Sequence, residues 1–392
     1  MARFSSVYAR TIRFGPHELG RPWEEVQVHV GDELVSWMQT VDVAHRLHGA
    51  ELTSLGVVGV HTAAAHQKQG HMRFMLESAL RRSKARRLMV STLYGVPDLY
   101  HRWGYATVMP ETTITIATDV AKLATSSHAV RPADEGDWPA MARVYNRATS
   151  SVSGSRVRVP DRWPGPRQGT YFGRLKTWSL VVTDSRGRVV GYCTCDDPHQ
   201  GWEPWTHSAT QEREERGVYE VSVADAHADS YRAAASLVSA IADVAVKRRV
   251  AGITFHLHPE GTVGRYLANH ETTVNVVRPV GQAQMVRISD PHTVLKALDS
   301  YVGQQAVLLD PSRPERVAVR TEHGVGYLML GGHGRPQVVR LQTSRLAEII
   351  FGYRSATELR AVHGVRLSRR DAEMLDVLFP QMDSYCCWPD RY

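Results

Sequence analysis

Cysteine is scarce in this chain. There are four in 392 residues, placed as Cys193-x-Cys195 and the adjacent pair Cys386-Cys387. Neither spacing suits a zinc knuckle, adjacent cysteines rarely bridge each other, and so few in a long chain point to a reducing compartment. No run of 18 apolar residues occurs, which excludes a spanning helix. The opening MARFSSVYARTIRF has no apolar h-region, so no secretory signal is expected and the chain reads as cytoplasmic, away from membranes. Charge of one sign does not dominate either: 47 Lys+Arg stand against 40 Asp+Glu, a formal +7. The basic clusters at 81–87 and 247–249 sit at the ends of helix-like stretches, where cations favour the negative end of the helix dipole. No basic stretch is interleaved with aromatics and no nucleic-acid module is visible, so nucleic acid is not an expected partner. The 19 histidines are scattered; His256-x-His258 has no third ligand nearby, and no metal is expected.

What is present is ordinary globular material, 43% hydrophobic and 22% charged, in a chain too long for one core. Apolar runs at 33–43 and 52–61, a helix-like stretch at 70–80, a strand at 88–93, a short helix at 98–103 and an alternating strand at 112–116 predict an α/β segment. After a boundary near 122–127, a helix opens around Pro139, and 150–169 reads as a loop. A hairpin at 179–183 and 189–195, a strand at 218–223, a helix at 230–246 and a strand at 252–257 then repeat the first segment's order, as a degenerate duplication would. From about 286, a helix at 293–301, three short strands and two or three helices predict an α+β segment. One of these helices, at 344–351, is amphipathic and ends at Gly352.

The most informative stretch is Leu55–Met75, LGVVGVHTAAAHQKQGHMRFM. An apolar strand runs into a turn, and Gln67-Lys68-Gln69-Gly70-His71-Met72 opens a helix. Main-chain amides at a helix start are unpaired and carry the positive end of the dipole, so such a turn can hold a pyrophosphate, with Lys68 and Arg73 adding charge. The same pattern also fits an ordinary strand–helix connection with solvated polar residues. Thirty residues beyond Gly70 comes Leu99-Tyr100-His101-Arg102-Trp103-Gly104-Tyr105. The pair Q-x-x-G-x-M and Y-x-x-x-G-Y resembles the acetyl-CoA-binding core of the GNAT N-acetyltransferase superfamily. Met72 departs from the small residue usual at the end of the first motif. The three-part plan is similar to the enhanced intracellular survival (Eis) family of bacterial N-acetyltransferases, which modify primary amines. The stretch from Arg345 through Gly352 to Leu359 also looks like a family landmark, although the segment before the first core strand looks short.

That resemblance implies tandem GNAT folds, α/β, followed by a sterol-carrier-like α+β domain: residues 1–122 catalytic, 123–285 a degenerate copy, and 286–392 supplying the C-terminal carboxylate. It implies Tyr100 as the acid toward the CoA sulfur, and the Tyr392 carboxylate as the base that accepts the amine proton. The glutamate many GNAT enzymes use would fall at Gly56; His61 and Asp390 are the alternative bases, and a frayed tail is the alternative for the terminus. Tyr100 also reads as a core aromatic. Val60, His61 and Thr62 would line the acetyl-pantetheine arm, with Val60 N–H donating to the thioester oxygen. Lys68, Gln69, Gly70, His71, Met72 and Arg73 would hold the pyrophosphate, and Gly95 and Val96 would contact the cofactor from the next strand. Trp37 and Met38 read equally as amine pocket or core.

In the second segment no Q-x-x-G follows the strand, and aspartates Asp225 and Asp229 stand where a pyrophosphate would lie, so that copy is not expected to bind CoA. Asp196, Asp197, Glu212, Glu214 and Glu215 would attract a polycation or form a solvated face. The resemblance also implies a homo-oligomer, a hexamer. The expected activity is acetyl transfer from acetyl-CoA to a primary amine of an aminoglycoside, lysine side chain or similar acceptor. A different acyl donor or acceptor in secondary metabolism, or a non-catalytic carrier of a lipid or small molecule, are the alternatives.

Overall fold

The structure, a computed structural model, describes residues 10–16, 23–96, 98–166, 177–196, 220–279 and 283–391. The chain forms two compact units, one built from residues 1–109 and 280–384, the other from 110–279 and 385–391. Its architecture is mixed α/β, with a seven-stranded sheet in each unit.

In the first unit, strands β1 (Arg10–Pro16), β2 (Glu24–Val30), β3 (Glu33–Leu47), β4 (Ala50–Thr62), β5 (Val90–Tyr94) and β6 (Ala106–Thr107) lie in one sheet. The first four pair antiparallel in chain order; β4 and β5 are parallel, joined by the crossover helix α1 (His71–Ala85). β1 and β2 occupy the stretch that reads from sequence as merely a short N-terminal segment. Helix α1 buries Met75, Leu76 and Ala79, the i, i+1, i+4 set of one apolar face, against Val26, Val28, Met38 and Leu55 of the sheet. It stops at a Schellman turn: Leu88 N–H donates to Ser83 O at 3.1 Å and Arg87 N–H to Lys84 O at 3.0 Å, with Arg87 in the left-handed region at φ 58°.

The place between β5 and β6 is filled by the strand Gln284–Ile288, antiparallel to both. The rest of this unit comprises helices Pro291–Ala297 and Asp299–Ala306, a sheet of Gly324–Met329, Arg316–Thr321 and Gln337–Arg340, and helices Thr343–Ile350, Ala356–Val362 and Arg369–Leu378. The helix expected at 293–301 is therefore two, split at Leu298.

The second unit repeats the first sheet. Its order is Ala129–Pro132, Thr177–Thr183, Val189–Asp196, Glu220–Ala228, Gly252–Phe255, Glu111–Ala117, Thr272–Val277, with the fourth and fifth strands again parallel around a helix, Tyr231–Lys247. That helix ends on the same turn as α1, Val250 N–H donating to Ala245 O and Arg249 sitting at φ 57°. The sixth place is taken by Glu111–Ala117, which follows β6 in the chain. Each sheet is thus completed by the strand that follows the other repeat. The alternating strand at 112–116, read from sequence as closing the first segment, belongs to the second sheet. Alternation of side chains fixes a strand's buried face but not its partner.

Residues 385–391 are held inside this second unit. Tyr385 N–H donates to Ser153 O at 2.8 Å and Tyr385 OH to His256 O at 2.7 Å. Arg391 Nη1 reaches both oxygens of Glu111 at 2.8 Å, and its guanidinium lies 4.0 Å from the Trp388 ring. His256 and His258 pack edge-on to Trp388 and Tyr385, so this strand alternation serves packing.

Candidate active site

β4 pairs with β5 only from Ser54↔Val90 to Gly56↔Thr92. Beyond Gly56 it runs on to Thr62, while β5 ends at Tyr94 and Gly95 N–H turns to Ala283 O at 2.9 Å. The two parallel strands part here, leaving the β5-facing edge of residues 57–62 outside the ladder. On its other side β4 carries a bulge: Trp37↔His61 is followed by Gln39↔Val58, so Gly59 and Val60 oppose the single residue Met38. Gly59 sits at φ 58°, the left-handed conformation such a bulge asks of its first residue. The bulge re-aims the backbone at Val60 and His61 just where the strand edge is open.

The turn that follows brings the chain into α1. Lys68 and Gly70 both take left-handed conformations, φ 61° and 80°, and Gly70 is the N-cap. No side chain caps this end and no acidic residue lies in the first turn. The first-turn amides and the positive end of the dipole are therefore directed outward, a ready site for a phosphate anion. Gln67 and Gln69 steady the turn by donating to Thr62 O at 3.4 Å and Ala65 O at 3.2 Å.

These elements line one cavity of about 850 Å³. Its wall includes Val60, His61 and Thr62 from β4, Lys68 and Gly70 from the turn, and His71, Met72 and Arg73 from α1, with Leu99, Arg102 and Trp103 opposite. Lys68, Arg73 and Arg102 make it cationic. The carboxylate among its lining residues is Glu77, which accepts from Arg73 Nε at 2.8 Å. Sequence reasoning missed Glu77, although the i, i+4 spacing to Arg73 on a helix was the available signal. The donors and charges present fit the pyrophosphate of an acyl-CoA, and the open edge of β4 fits its extended pantetheine arm.

Gln69, Gly95, Val96 and Tyr100 are not among the lining residues. Gly95 is buried at the end of β5, where a Cβ would meet Met285 Sδ at 2.0 Å, and Val96 is 43% exposed. Tyr100 opens a one-turn 3-10 helix, Tyr100–Trp103, closed by Gly104 at φ 80°. Between the lining residues Leu99 and Trp103, it is only 7% exposed, edge-on to Tyr105 with ring centroids 6.0 Å apart. Burial pushes its phenol up to about 12. Tyr105 is fully buried, its OH 2.7 Å from Ser91 Oγ, and burial raises it further. Arg287 Nε donates to Trp103 O at 2.8 Å, fixing this turn to the strand Gln284–Ile288.

Several expectations change. Met38 is fully buried in the core beneath α1 and is no pocket residue, whereas Trp37 is 36% exposed and stacks on His61, centroids 4.2 Å apart. Gly56, where the sequence already offers no carboxylate, is buried between Val41 and Thr92. Asp390 is fully buried on Arg158 and is unavailable as a base. Asp225 does not front a phosphate turn but is buried in the same cluster, while Asp229 pairs with Arg147 at 2.6 Å. The helix Tyr231–Lys247 is capped by its own Ser230, Oγ accepting from Ala233 N at 3.2 Å, so the second copy occupies one of the first-turn donors that α1 leaves uncapped. Tyr392, Asp197, Glu212, Glu214 and Glu215 lie outside the described residues. Among the described residues no group of three or more His, Cys, Asp or Glu is placed to hold a metal ion.

Residues 22–108, which hold the whole of this cavity, match the family described as "Acetyltransferase (GNAT) domain". The chain carries a GNAT acetyltransferase domain. On that domain the protein is an acetyltransferase, and its fold is one that takes an acyl-CoA. Solved structures share the architecture over nearly the full length. A GCN5-related N-acetyltransferase from Kribbella flavida is 17% identical at a TM-score of 0.66, covering 95% of this chain and 87% of that one. One from Anabaena variabilis ATCC 29413 is 14% identical at 0.67, with 94% and 89% covered. Eis1 from Mycobacterium abscessus is 17% identical at 0.64, with 98% and 100% covered. At these identities the likeness is one of fold. No curated protein matches the sequence.

Proposed function

We propose that this GNAT acetyltransferase moves the acetyl group of acetyl-CoA to a primary amine by direct attack, with both substrates bound together. One observation carries the reading: the open edge of β4 and the uncapped start of α1 meet in a single cationic cavity. Acetyl-CoA supplies the acetyl group as an activated thioester. Lys68, Gly70, His71, Met72 and Arg73 bind its pyrophosphate, with Gln69 supporting the turn. Val60, His61 and Thr62 align the pantetheine arm, Val60 N–H donating to the thioester oxygen in an oxyanion-type contact. Gly95 and Val96, just past the end of β5, are assigned to the cofactor on the resemblance to the family and not on the cavity lining.

Tyr100 serves the departing sulfur. A phenol near 12 is a weaker acid than a thiol near 8.5. Tyr100 therefore acts as a hydrogen-bond donor that strengthens its contact as charge builds on sulfur, rather than as a free proton source. The Tyr392 carboxylate is our assigned base for the amine proton, on the resemblance to the Eis family. The anchoring of Tyr385, Cys387, Asp390 and Arg391 supports an ordered chain leading to it. His61 is the second reading for the base, because it lines the cavity.

The roles given to segments belong to the same proposal: residues 1–122 for catalysis, 123–285 as a copy without cofactor, and 286–392 as a sterol-carrier-like segment. So do a cytoplasmic location and assembly as a homo-oligomer, a hexamer by resemblance. Val274, Val276 and Val277, exposed on the edge strand Thr272–Val277, support self-association.

The test is thiol release from acetyl-CoA with a panel of aminoglycosides, polyamines and lysine peptides. Release that depends on one amine class establishes the reaction and its acceptor; tight CoA binding with no release from any amine overturns it. Removing Tyr392 alone separates the two bases. A chain that still turns over at the parent rate without Tyr392 transfers the role to His61.

A further inference from the structure

The C-terminal part of the first unit holds a second cavity, of about 650 Å³, which shares no lining residue with the one at β4. Four arginines line it: Arg320, Arg340, Arg345 and Arg366. Arg320 and Arg340 are register partners on the adjacent parallel strands Arg316–Thr321 and Gln337–Arg340, and both are exposed. Their guanidiniums leave the same face of the sheet from backbones about 4.8 Å apart. Like charges set opposite one another in this way destabilise a sheet.

Among the described residues no ion pair offsets them. Arg345 is committed to Glu348, its Nη1 donating to both carboxylate oxygens at 2.8 and 3.1 Å. The lining carboxylate, Glu322, is committed to the start of the helix Thr343–Ile350: it accepts from Thr343 N at 3.0 and 3.1 Å and from Thr343 Oγ1 at 2.6 Å. Among the described residues no ion pair engages Arg320, Arg340 or Arg366. Three guanidiniums without an ion-pair partner thus line one concavity against the single carboxylate of Glu322, with apolar wall from Leu341 and Val365.

We propose that this cavity binds a phosphorylated small molecule, with its phosphate held between Arg320 and Arg340 and Arg366 as a third lining cation. The planar fork of a guanidinium matches phosphate oxygens two at a time. A phosphoryl group of charge near −2 answers several cations, which one carboxylate does not. A concavity of about 650 Å³ suits a small ligand over an extended polyanion or a membrane surface. This site goes beyond the acetyl-transfer reading and does not depend on it.

Calorimetry on the full chain, with CoA present at saturation and inorganic pyrophosphate as the probe, tests the site by heat and not by turnover. Saturable binding is expected, weakened about ten- to hundredfold by Arg320→Gln or Arg340→Gln, the loss of one charge-assisted contact. Because the paired arginines repel, ligand-free Arg340→Gln should melt higher than the parent protein although it binds more weakly, which shows that it folds. Arg81→Gln, on the exposed side of α1, should change neither quantity. Four results overturn the proposal: no saturable heat, displacement of pyrophosphate by CoA, affinity unchanged in the arginine variants, or affinity only for phosphatidic acid in phosphatidylcholine vesicles, which would assign the arginines to a lipid surface.

Discussion

Arg158 and Asp390, 232 positions apart, meet with both side chains fully buried, Nε donating to the carboxylate at 3.0 and 3.2 Å. The same guanidinium reaches Asp225 at 2.9 Å, Tyr192 OH at 2.6 Å and Cys387 Sγ at 3.0 Å, and lies 3.7 Å from the Tyr145 ring. One cation therefore bridges two buried carboxylates, with Arg156 3.9 Å from Asp390 and His227 2.9 Å from Asp225 beside it, and it ties the segment 385–391 to the second unit. Removing one member of such a buried set costs about 3–5 kcal/mol, because the charges left behind have no water.

Arg158→Met should accordingly lose about 3–5 kcal/mol in urea unfolding at neutral pH. Burial pushes the Asp225 carboxyl up, but Arg158, His227 and the Tyr192 hydroxyl outweigh it and hold it well below the usual range. In the parent protein that contribution is present above the unfolded carboxylate value near 3.9 and is lost as pH falls further. In Arg158→Met the sign reverses. Burial then dominates, and stability should rise as pH is lowered from 8 to 5. A variant whose stability is flat over that range would mean that water reaches the carboxylates.

Tyr100→Phe keeps the ring and removes the hydroxyl. Thiol release should fall by about 10²- to 10³-fold, the loss of one donor to developing charge, with little change in the KM for acetyl-CoA. Since burial holds the phenol near 12, the parent rate should show no descending limb from Tyr100 between pH 6 and 10. An unchanged rate in the variant across that range would remove Tyr100 from the chemistry.

Glu77 sets its negative charge on the wall of a cavity assigned to an anionic cofactor and occupies Arg73. Exposed pairs of this kind are worth about 0.2–1 kcal/mol. Glu77→Gln should therefore lower the KM for acetyl-CoA by up to about fivefold at low salt, and the gain should shrink as salt is added. A raised KM would place the pyrophosphate elsewhere.

Gly59 holds the bulge on β4 at φ 58°. Gly59→Val introduces a β-branched residue there, costing about 1–2 kcal/mol of stability and shifting the strand edge at Val60. Turnover should drop at least tenfold while circular dichroism at 25 °C stays unchanged. Equal loss of CD signal and activity would show that the bulge is needed for folding alone.

Much of the site could be read from the sequence because its parts are local. The turn from Gln67 to Met72 and the element from Tyr100 to Tyr105 are each contiguous, and each has a left-handed glycine whose position a motif can mark. The Trp37–His61 stack could not be read so directly, because strand alternation told neither which of Trp37 and Met38 faces the core nor where the Gly59 bulge shifts register. Arg158 was invisible for another reason. It lies in a stretch rich in serine, glycine and proline that reads as a solvated loop, and its partners Asp225, Cys387 and Asp390 come from distant parts of the chain. The destinations of the strands Glu111–Ala117 and Gln284–Ile288 were equally hidden, since each pattern suits either sheet.

That exchange of strands sets a timetable for synthesis. When β6 leaves the ribosome, the first sheet still lacks the neighbour that belongs between β5 and β6, and it arrives only with Gln284–Ile288, roughly 180 residues later. At typical elongation rates that interval is roughly 10–35 s. Through it β5 offers an open, unfilled edge beside the future cofactor cavity, where any passing strand can pair. A fragment ending near residue 109 would keep that edge permanently, and chaperone demand in the cell should track the length of the wait.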